Sequence, residues 1–148
     1  MKKLVLPKEA FFSEILEQIA QGKTVCIGAQ GRSMLPLIHS GEDSLYLRAL
    51  SESSIVPGNI ILGRTNEGFY VIHRIERVEG NRITLRGDGN PYQREIIHRS
   101  GALAELVYFE HRGLHIGPKH WRWRMCQSLW PSNGMARRAL LYLYRHLG

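Results

Sequence analysis

A mostly-β fold is predicted by three features of the 148-residue sequence: an antiparallel, barrel-like sheet with an N-terminal helix and C-terminal helices. Between residues 24 and 116 the apolar residues form short runs that favour β-strands. Turn residues, mainly glycine, proline and asparagine, separate these runs. Helical periodicity occurs only near the two ends of the chain. Short strands joined by tight turns are typical of antiparallel sheets and not of alternating α/β folds.

The first predicted element is a helix from Lys8 to Gln21. Pro7 suits its start and Gly22 suits its end. Apolar residues recur there at intervals of three and four, which places them on one face of the helix. They are Phe11, Phe12, Ile15, Leu16, Ile19 and Ala20.

Seven strands are predicted next, and turns such as Pro57-Gly58 and Gly80-Asn81 separate them. They cover residues 24–27, 44–47, 59–62, 69–78, 82–85, 104–109 and 114–116. The segment from Gly87 to Pro91 is expected to be a loop. Two helices follow, at 119–129 and 134–147. We therefore assign a domain to residues 1–117 and a helical extension to residues 118–148.

The formal charge of +7 is concentrated in this extension, which holds six Lys or Arg residues and no Asp or Glu. Residues 1–117 therefore carry only +1. Tryptophan and leucine alternate with the cations, which is typical of a helix lying in the interface of an anionic membrane. A helical pair that packs its aromatic residues on the domain fits the same pattern. Nucleic-acid binding ranks last because no recognised nucleic-acid motif is present.

No window of 18 consecutive apolar residues occurs, so no transmembrane helix is predicted. The N-terminus begins like a signal peptide, but Pro7, Lys8 and Glu9 interrupt the apolar stretch. We expect a cytoplasmic protein, either free or peripheral on a membrane through residues 118–148. Cys26 and Cys126 are expected to be reduced structural thiols. No cofactor is expected, and no metal, because the histidines show no regular ligand spacing.

Two residues could form a catalytic pair of nucleophile and base. Ser33 lies in a turn between Gly31 and Pro36, and His73 lies inside the apolar run 71–75. A serine hydroxyl becomes nucleophilic when a neighbouring base takes its proton. Histidine, with an ordinary pKa of about 6.5, can be that base near neutral pH. Considered singly, Ser33 also fits a simple turn and His73 a core position.

Five segments in order resemble the conserved boxes of type I signal peptidases and their relatives, over about residues 24–110. Gly31 to Pro36 resembles the Gly-x-Ser-Met-x-Pro box, and Gly41-Glu42-Asp43 with the following strand resembles the Gly-Asp box. Residues 57–61 resemble the Gly-Asp-Ile-Val box, with Asn59 in place of the acid. Residues 71–75 resemble the box that carries the base, and residues 85–90 the Lys-Gly-Asp-Asn box.

The resemblance is to the archaeal and endoplasmic reticulum branch, which pairs serine with histidine. No lysine lies between Lys23 and Lys119 to serve as the base of the other branch. The resemblance implies that Ser33 attacks the scissile carbonyl, that His73 is the base, and that Asp88 orients the imidazole. Glu95 is the alternative third member. Oxyanion and substrate contacts are expected from Gly31, Arg32, Met34 and Pro36.

The expected function is a serine endopeptidase that cleaves an extended peptide or protein bound as an added strand. The family's membrane anchor is not found before the serine box, which favours a dedicated maturation or processing peptidase. The alternative is a catalytically inactive peptide-binding or regulatory module on the same fold. A self-cleaving transcription regulator ranks third, because no DNA-binding domain precedes the boxes and the base is not lysine.

Overall fold

The computed structural model describes residues 8–147 of the chain, and Pro7, the expected start of the first helix, lies outside them. One helix precedes eight strands, and two helices follow. The elements are α1 (Lys8–Ala20), β1 (Val25–Gly28), β2 (Asp43–Arg48), β3 (Ile60–Arg64), β4 (Tyr70–Glu79), β5 (Arg82–Arg86), β6 (Glu95–His98), β7 (Ala102–His111), β8 (Leu114–Ile116), α2 (Trp121–Ser128) and α3 (Gly134–Leu147). A 3₁₀ turn at Arg99–Gly101 joins β6 to β7.

All eight strands belong to one antiparallel sheet, in the order β1-β2-β7-β3-β4-β5-β6, with β8 on β7. Strand β7 organises the sheet, because β2 pairs along one of its edges while β3 and then β8 pair along the other. No pairing among the described strands joins β1 to β6, so the sheet is open and not a closed barrel.

Strand β6 was not predicted from the sequence. Its four residues, Glu-Ile-Ile-His, follow a polar loop and lack an apolar run of their own. They become a strand because residues 95–98 pair with residues 82–85 of β5. The other strands lie within about two residues of their predicted bounds.

Two hydrophobic clusters pack on the sheet. Residues of β3 contribute to both, since Ile60 and Leu62 belong to the larger cluster and Ile61 to the smaller one. The smaller cluster consists of Ile61, Ile75, Ile83, Leu85, Ile97 and Ala102. The larger one includes residues of α1, of the segment after β1 and of α2. Central strands are therefore buried on both faces, and polar side chains among them need internal partners.

The C-terminal extension packs on the domain. Trp123 and Cys126 of α2 lie in the larger cluster, and α3 buries Leu141 and Arg137. Other apolar residues of α3, including Met135 and Tyr142, remain exposed. Among residues 8–147, none of the helices has the length and apolar character needed to cross a membrane.

Candidate active site

The predicted nucleophile lies in the loop that joins β1 to β2, which we call the serine loop (residues 29–42). Gly31 has a φ of 78°, a left-handed conformation that glycine adopts without steric cost. Met34, Leu37 and Ile38 are buried in the larger cluster and anchor the loop. Ser33 is half-buried between the exposed Gly31 and this anchor.

The start of the serine loop leaves backbone donors free. Within the described chain, the N–H groups of Arg32, Ser33 and Met34 donate no hydrogen bond. The next turns are closed by Leu35 N–H to Arg32 O, at 3.2 Å, and by Ile38 N–H to Met34 O, at 2.9 Å. Free N–H groups beside a serine are the donors that an oxyanion requires.

The other residues expected to contact substrate are placed differently. Met34 is 5% exposed and its sulfur accepts the Asp88 N–H at 3.4 Å, so it is a core anchor and not a substrate contact. Pro36 is half-buried within the loop, whereas the Arg32 side chain is exposed. Gly31 and Arg32 are therefore the members of the expected set that remain accessible.

The predicted base, His73, is buried in the middle of β4, at 5% exposure. Its Nδ1–H donates to Oε1 of Glu95 at 2.5 Å. Glu95 lies two strands away on β6, and its side chain is 10% exposed. Among residues 8–147 the second ring nitrogen, Nε2, has no hydrogen-bond partner. A carboxylate on one ring nitrogen and a free second nitrogen is the arrangement of a general base.

Strand register explains why Glu95 reaches His73. Residues that face each other across antiparallel strands put their side chains on the same face of the sheet. His73 is paired with Ile61, whose side chain lies in the smaller cluster. Glu95 is paired with Leu85, which belongs to the same cluster. Both side chains therefore point to that face, and they meet at the edge of its apolar packing.

Asp88, the first candidate for orienting the imidazole, has a different partner. It is 1% exposed and forms two hydrogen bonds with Arg74, at 2.9 and 2.8 Å. Arg74 also donates to Gly58 O at 2.8 Å and lies over the ring of Trp123. Of the two acids weighed from the sequence, Glu95 contacts His73, and Asp88 neutralises a buried arginine.

The Gly87–Gly89 segment packs directly on the serine loop. Gly89 N–H donates to Ser33 O at 2.7 Å. A Cβ atom at Gly87 would lie 2.2 Å from Ser33 O, and one at Gly89 would lie 2.4 Å from Arg32 O. Both positions therefore require glycine for reasons of space. This contact explains the two glycines around Asp88 that the sequence shows.

The same segment connects the serine loop to His73. Arg74 of β4 pairs with Arg86 of β5, and these two residues are the chain neighbours of His73 and Gly87. Ser33 O touches Gly87, and the serine loop therefore lies next to the end of β5 that flanks the histidine. The Ser33 hydroxyl forms no hydrogen bond with the imidazole in this structure. Such bonds are often long in unliganded enzymes and tighten on substrate binding.

The C-terminal extension holds the Gly87–Gly89 segment from the other side. The Trp130 ring N–H donates to Asp88 O at 2.7 Å, and Arg137 donates to Gly87 O at 3.3 Å. Burial lowers the pKa of Arg137 to about 10, so it stays charged at neutral pH. Arg86, which is 2% exposed, donates to Ser132 O at 2.8 Å. The extension is thus part of the support beneath the serine loop.

Asn59 also has a structural explanation. Its amide donates to the carbonyl oxygens of Ser54, at 3.0 Å, and Ser53, at 3.4 Å. An ionised carboxylate could not donate these bonds. Asn59 therefore stabilises the turn before β3 in a way that an acidic residue at this position could not.

A polar cavity of about 310 Å³ lies beside the Arg74–Asp88 pair, and it is lined by α2 and α3. Ser33 and His73 do not line it. Its three arginines, Arg74, Arg86 and Arg137, already donate to protein oxygens. The cavity therefore includes Asp88 but not Ser33, His73 or Glu95.

Comparisons of the chain with protein-family models, with curated proteins and with solved structures find no match. The functional argument therefore depends on the motifs and on the geometry described above.

Proposed function

We propose that the protein is a serine endopeptidase with Ser33 as nucleophile, His73 as general base and Glu95 as the orienting acid. The contact between His73 Nδ1 and Glu95 Oε1 carries this proposal. A buried histidine that needed only a structural partner could use any nearby oxygen. Here a carboxylate accepts from one nitrogen, and Nε2 makes no hydrogen bond among the described residues. The serine loop packs against Gly87, the residue after Arg86, which pairs with the neighbour of His73.

In the proposed reaction, Nε2 accepts the Ser33 proton as the hydroxyl oxygen attacks the scissile carbonyl. Glu95 stabilises the resulting imidazolium and keeps the proton on Nδ1. Free N–H groups of Ser33 and its neighbours stabilise the oxyanion, and losing one such donor commonly costs about 100- to 1000-fold in rate. The imidazolium then protonates the leaving amine as the C–N bond breaks, and a water molecule that gives its proton to the neutral His73 hydrolyses the ester left on Ser33.

The open edge of β1 supports binding of the substrate in an extended conformation. Among the described strands β1 pairs only with β2, and it leads directly into the serine loop. A peptide that pairs with this edge would run towards Ser33. We therefore propose a dedicated processing peptidase that recognises the main chain of an extended segment.

A fluorophosphonate probe tests the mechanism, because it forms a covalent bond with an activated serine. We expect intact-mass analysis to find one label on wild type and none on Ser33→Ala. His73→Gln should lower the labelling rate by about 100- to 10,000-fold, and Glu95→Gln should lie between His73→Gln and wild type. Ser40→Ala is the matched control, since Ser40 is exposed in the same loop and should label like wild type.

A peptide-binding module without catalysis is the second candidate function. The missing hydrogen bond between the Ser33 hydroxyl and His73 favours it. If the wild-type protein stays folded but unlabelled at every pH tested, the peptidase proposal is wrong. The non-catalytic peptide-binding module is then the remaining candidate function. Labelling that persists in Ser33→Ala would also reject the proposed nucleophile.

We further propose that the extension contacts anionic membranes. Met135, Tyr142 and Leu143 of α3 are exposed, and Arg138 and Arg145 belong to the same helix. Vesicles containing phosphatidylserine should sediment the protein in low salt, and added salt should release it. The double variant Arg138→Gln/Arg145→Gln should bind more weakly. Equal sedimentation with neutral phosphatidylcholine vesicles would contradict the electrostatic contribution.

A further inference from the structure

Three side chains of types that bind metals meet where the serine loop leads into β2. His39, Asp43 and His111 each offer one ligand atom, and these atoms lie within 4.8 Å of one another. The chain separates the two histidines by 72 residues. Sequence spacing could not indicate the cluster, because its members come from a loop, the start of β2 and the end of β7.

Strand pairing holds two of these residues together. Asp43 and His111 face each other across β2 and β7, so their side chains lie on one face of the sheet. The His111 Nδ1–H donates to Asp43 Oδ1 at 2.5 Å. The side chain of Asp43 is fully buried, and its second oxygen accepts the His39 backbone N–H at 2.8 Å. The carboxylate is therefore fixed between the two histidines.

His39 contains an unsatisfied buried atom. Its Nδ1 is enclosed and has no hydrogen-bond partner among the described residues. Nδ1 faces Asp43 Oδ2 at 3.7 Å, which is too long for a hydrogen bond. An unpaired buried polar atom destabilises the fold, because it has lost its hydrogen bonds to water. A cation placed between this nitrogen and the carboxylate would remove that cost.

The other nitrogen of His39 is already bound. Nε2 forms a hydrogen bond with the Tyr144 hydroxyl of α3. Metal-ligating histidines commonly use their second nitrogen in this way, and the bond sets the orientation of the ring. The Tyr144 contact therefore leaves Nδ1 as the nitrogen that can bind an ion.

The geometry points to a site for a divalent transition-metal ion, with Zn²⁺ the best match, bound by His39 Nδ1, Asp43 and His111 Nδ1. Zn–N and Zn–O bonds of about 2.0–2.2 Å put tetrahedral ligands about 3.3–3.6 Å apart. The separations in the structure lie on either side of this range: 2.5 Å from His111 Nδ1 to Asp43 Oδ1, and 3.7 Å from His39 Nδ1 to the other carboxylate oxygen, Oδ2. Two imidazoles and one carboxylate favour Zn²⁺ over the oxygen-preferring Mg²⁺ and Ca²⁺.

Binding replaces the hydrogen bond between His111 and Asp43 with metal–ligand bonds. Nδ1 of His111 releases its proton to solvent while Nε2 takes one up from solvent, so the ring stays neutral and the Nδ1 lone pair faces the ion. Glu42 is the nearest further carboxylate, with Oε2 at 3.8 Å from His111 Nδ1, and it can supply a fourth ligand. Arg112 competes for it at 3.7 Å. The ion would brace the serine loop against β7 and, through Tyr144, against α3.

Zn²⁺ titration of chelator-treated, tag-free protein tests the site by isothermal calorimetry and thermal unfolding. We expect one ion per chain and a higher Tm in Zn²⁺. His39→Gln and His111→Gln should each lose saturable binding while melting cooperatively without metal. Tyr144→Phe should weaken binding by about 10- to 100-fold, since it removes only the bond to Nε2.

Two control variants separate this site from other histidines. His115→Gln changes an exposed ring on the neighbouring strand β8, and His73→Gln changes the candidate catalytic base. Both should bind Zn²⁺ like wild type. The proposal is wrong if wild type shows no saturable binding, if His39→Gln binds as tightly as wild type, or if His73→Gln abolishes binding.

Discussion

A substitution in the buried pair of Arg74 and Asp88 tests whether Asp88 stabilises the fold or takes part in catalysis. Asp88→Asn keeps the size of the side chain and removes its charge. Arg74 then stays buried at 7% exposure without a counter-charge. Removing one partner of a buried ion pair costs about 3–5 kcal/mol. Arg74 keeps its bond to Gly58 O and its place over the Trp123 ring, so we expect the lower end of that range, about 3 kcal/mol.

Urea denaturation followed by tryptophan fluorescence measures this change in the free energy of unfolding. For a chain of this size, about 3 kcal/mol corresponds to a fall in Tm of about 6–12 °C. Adding Arg74→Met to Asp88→Asn should recover part of the loss, because it removes the uncompensated charge. The double-mutant cycle should give a coupling of at least about 1 kcal/mol.

The matched control is Glu79→Gln, which neutralises an exposed carboxylate paired with Arg77 at 3.5 Å. It should change stability by less than about 0.5 kcal/mol. The reasoning fails if Asp88→Asn costs less than about 1 kcal/mol. Unchanged stability with lost probe labelling would refute it more directly, since Asp88 would then act in the chemistry.

Three further predictions concern packing, pH and thiol reactivity. Gly87→Ala should cut probe labelling at least about 10-fold and destabilise the protein by about 1–3 kcal/mol, because its Cβ would meet Ser33 O at 2.2 Å. Gly28→Ala, which meets no atom within 4 Å, should behave like wild type. Burial raises the pKa of Glu76, but hydrogen bonds from arginines outweigh it and hold that pKa below 4.5. The stabilisation that ionised Glu76 provides is therefore present above pH 4.5 and is lost as pH falls through the pKa of the folded state. The difference in stability between wild type and Glu76→Gln should shrink over that pH range. A constant difference from neutral to acid pH would contradict this prediction. A maleimide should label only the exposed Cys26 in the native protein, because Cys126 is buried and burial raises its pKa to about 12. Labelling of both thiols at the same rate would contradict this prediction.

Local sequence patterns were sufficient for most of the fold. Helical periodicity predicted α1 and both C-terminal helices, and short apolar runs between turn residues predicted seven strands, all within a few residues of their observed bounds. Strand β6 escaped prediction because its four residues have no apolar run, and only pairing with β5 makes them a strand. Whether the sheet closes was also beyond a local pattern, since closure depends on how strands far apart in sequence pair.

Residue types and their local context made Ser33 and His73 candidates, and the resemblance to the signal-peptidase boxes added a choice between Asp88 and Glu95. Selecting Glu95 required the tertiary structure, because strand register decides which carboxylate shares the face of the imidazole. The same holds for the His39–Asp43–His111 cluster, whose members are brought together by the β2–β7 pairing. Residue types and short-range periodicity are properties of the chain, whereas contacts between distant residues exist only after the sheet has formed.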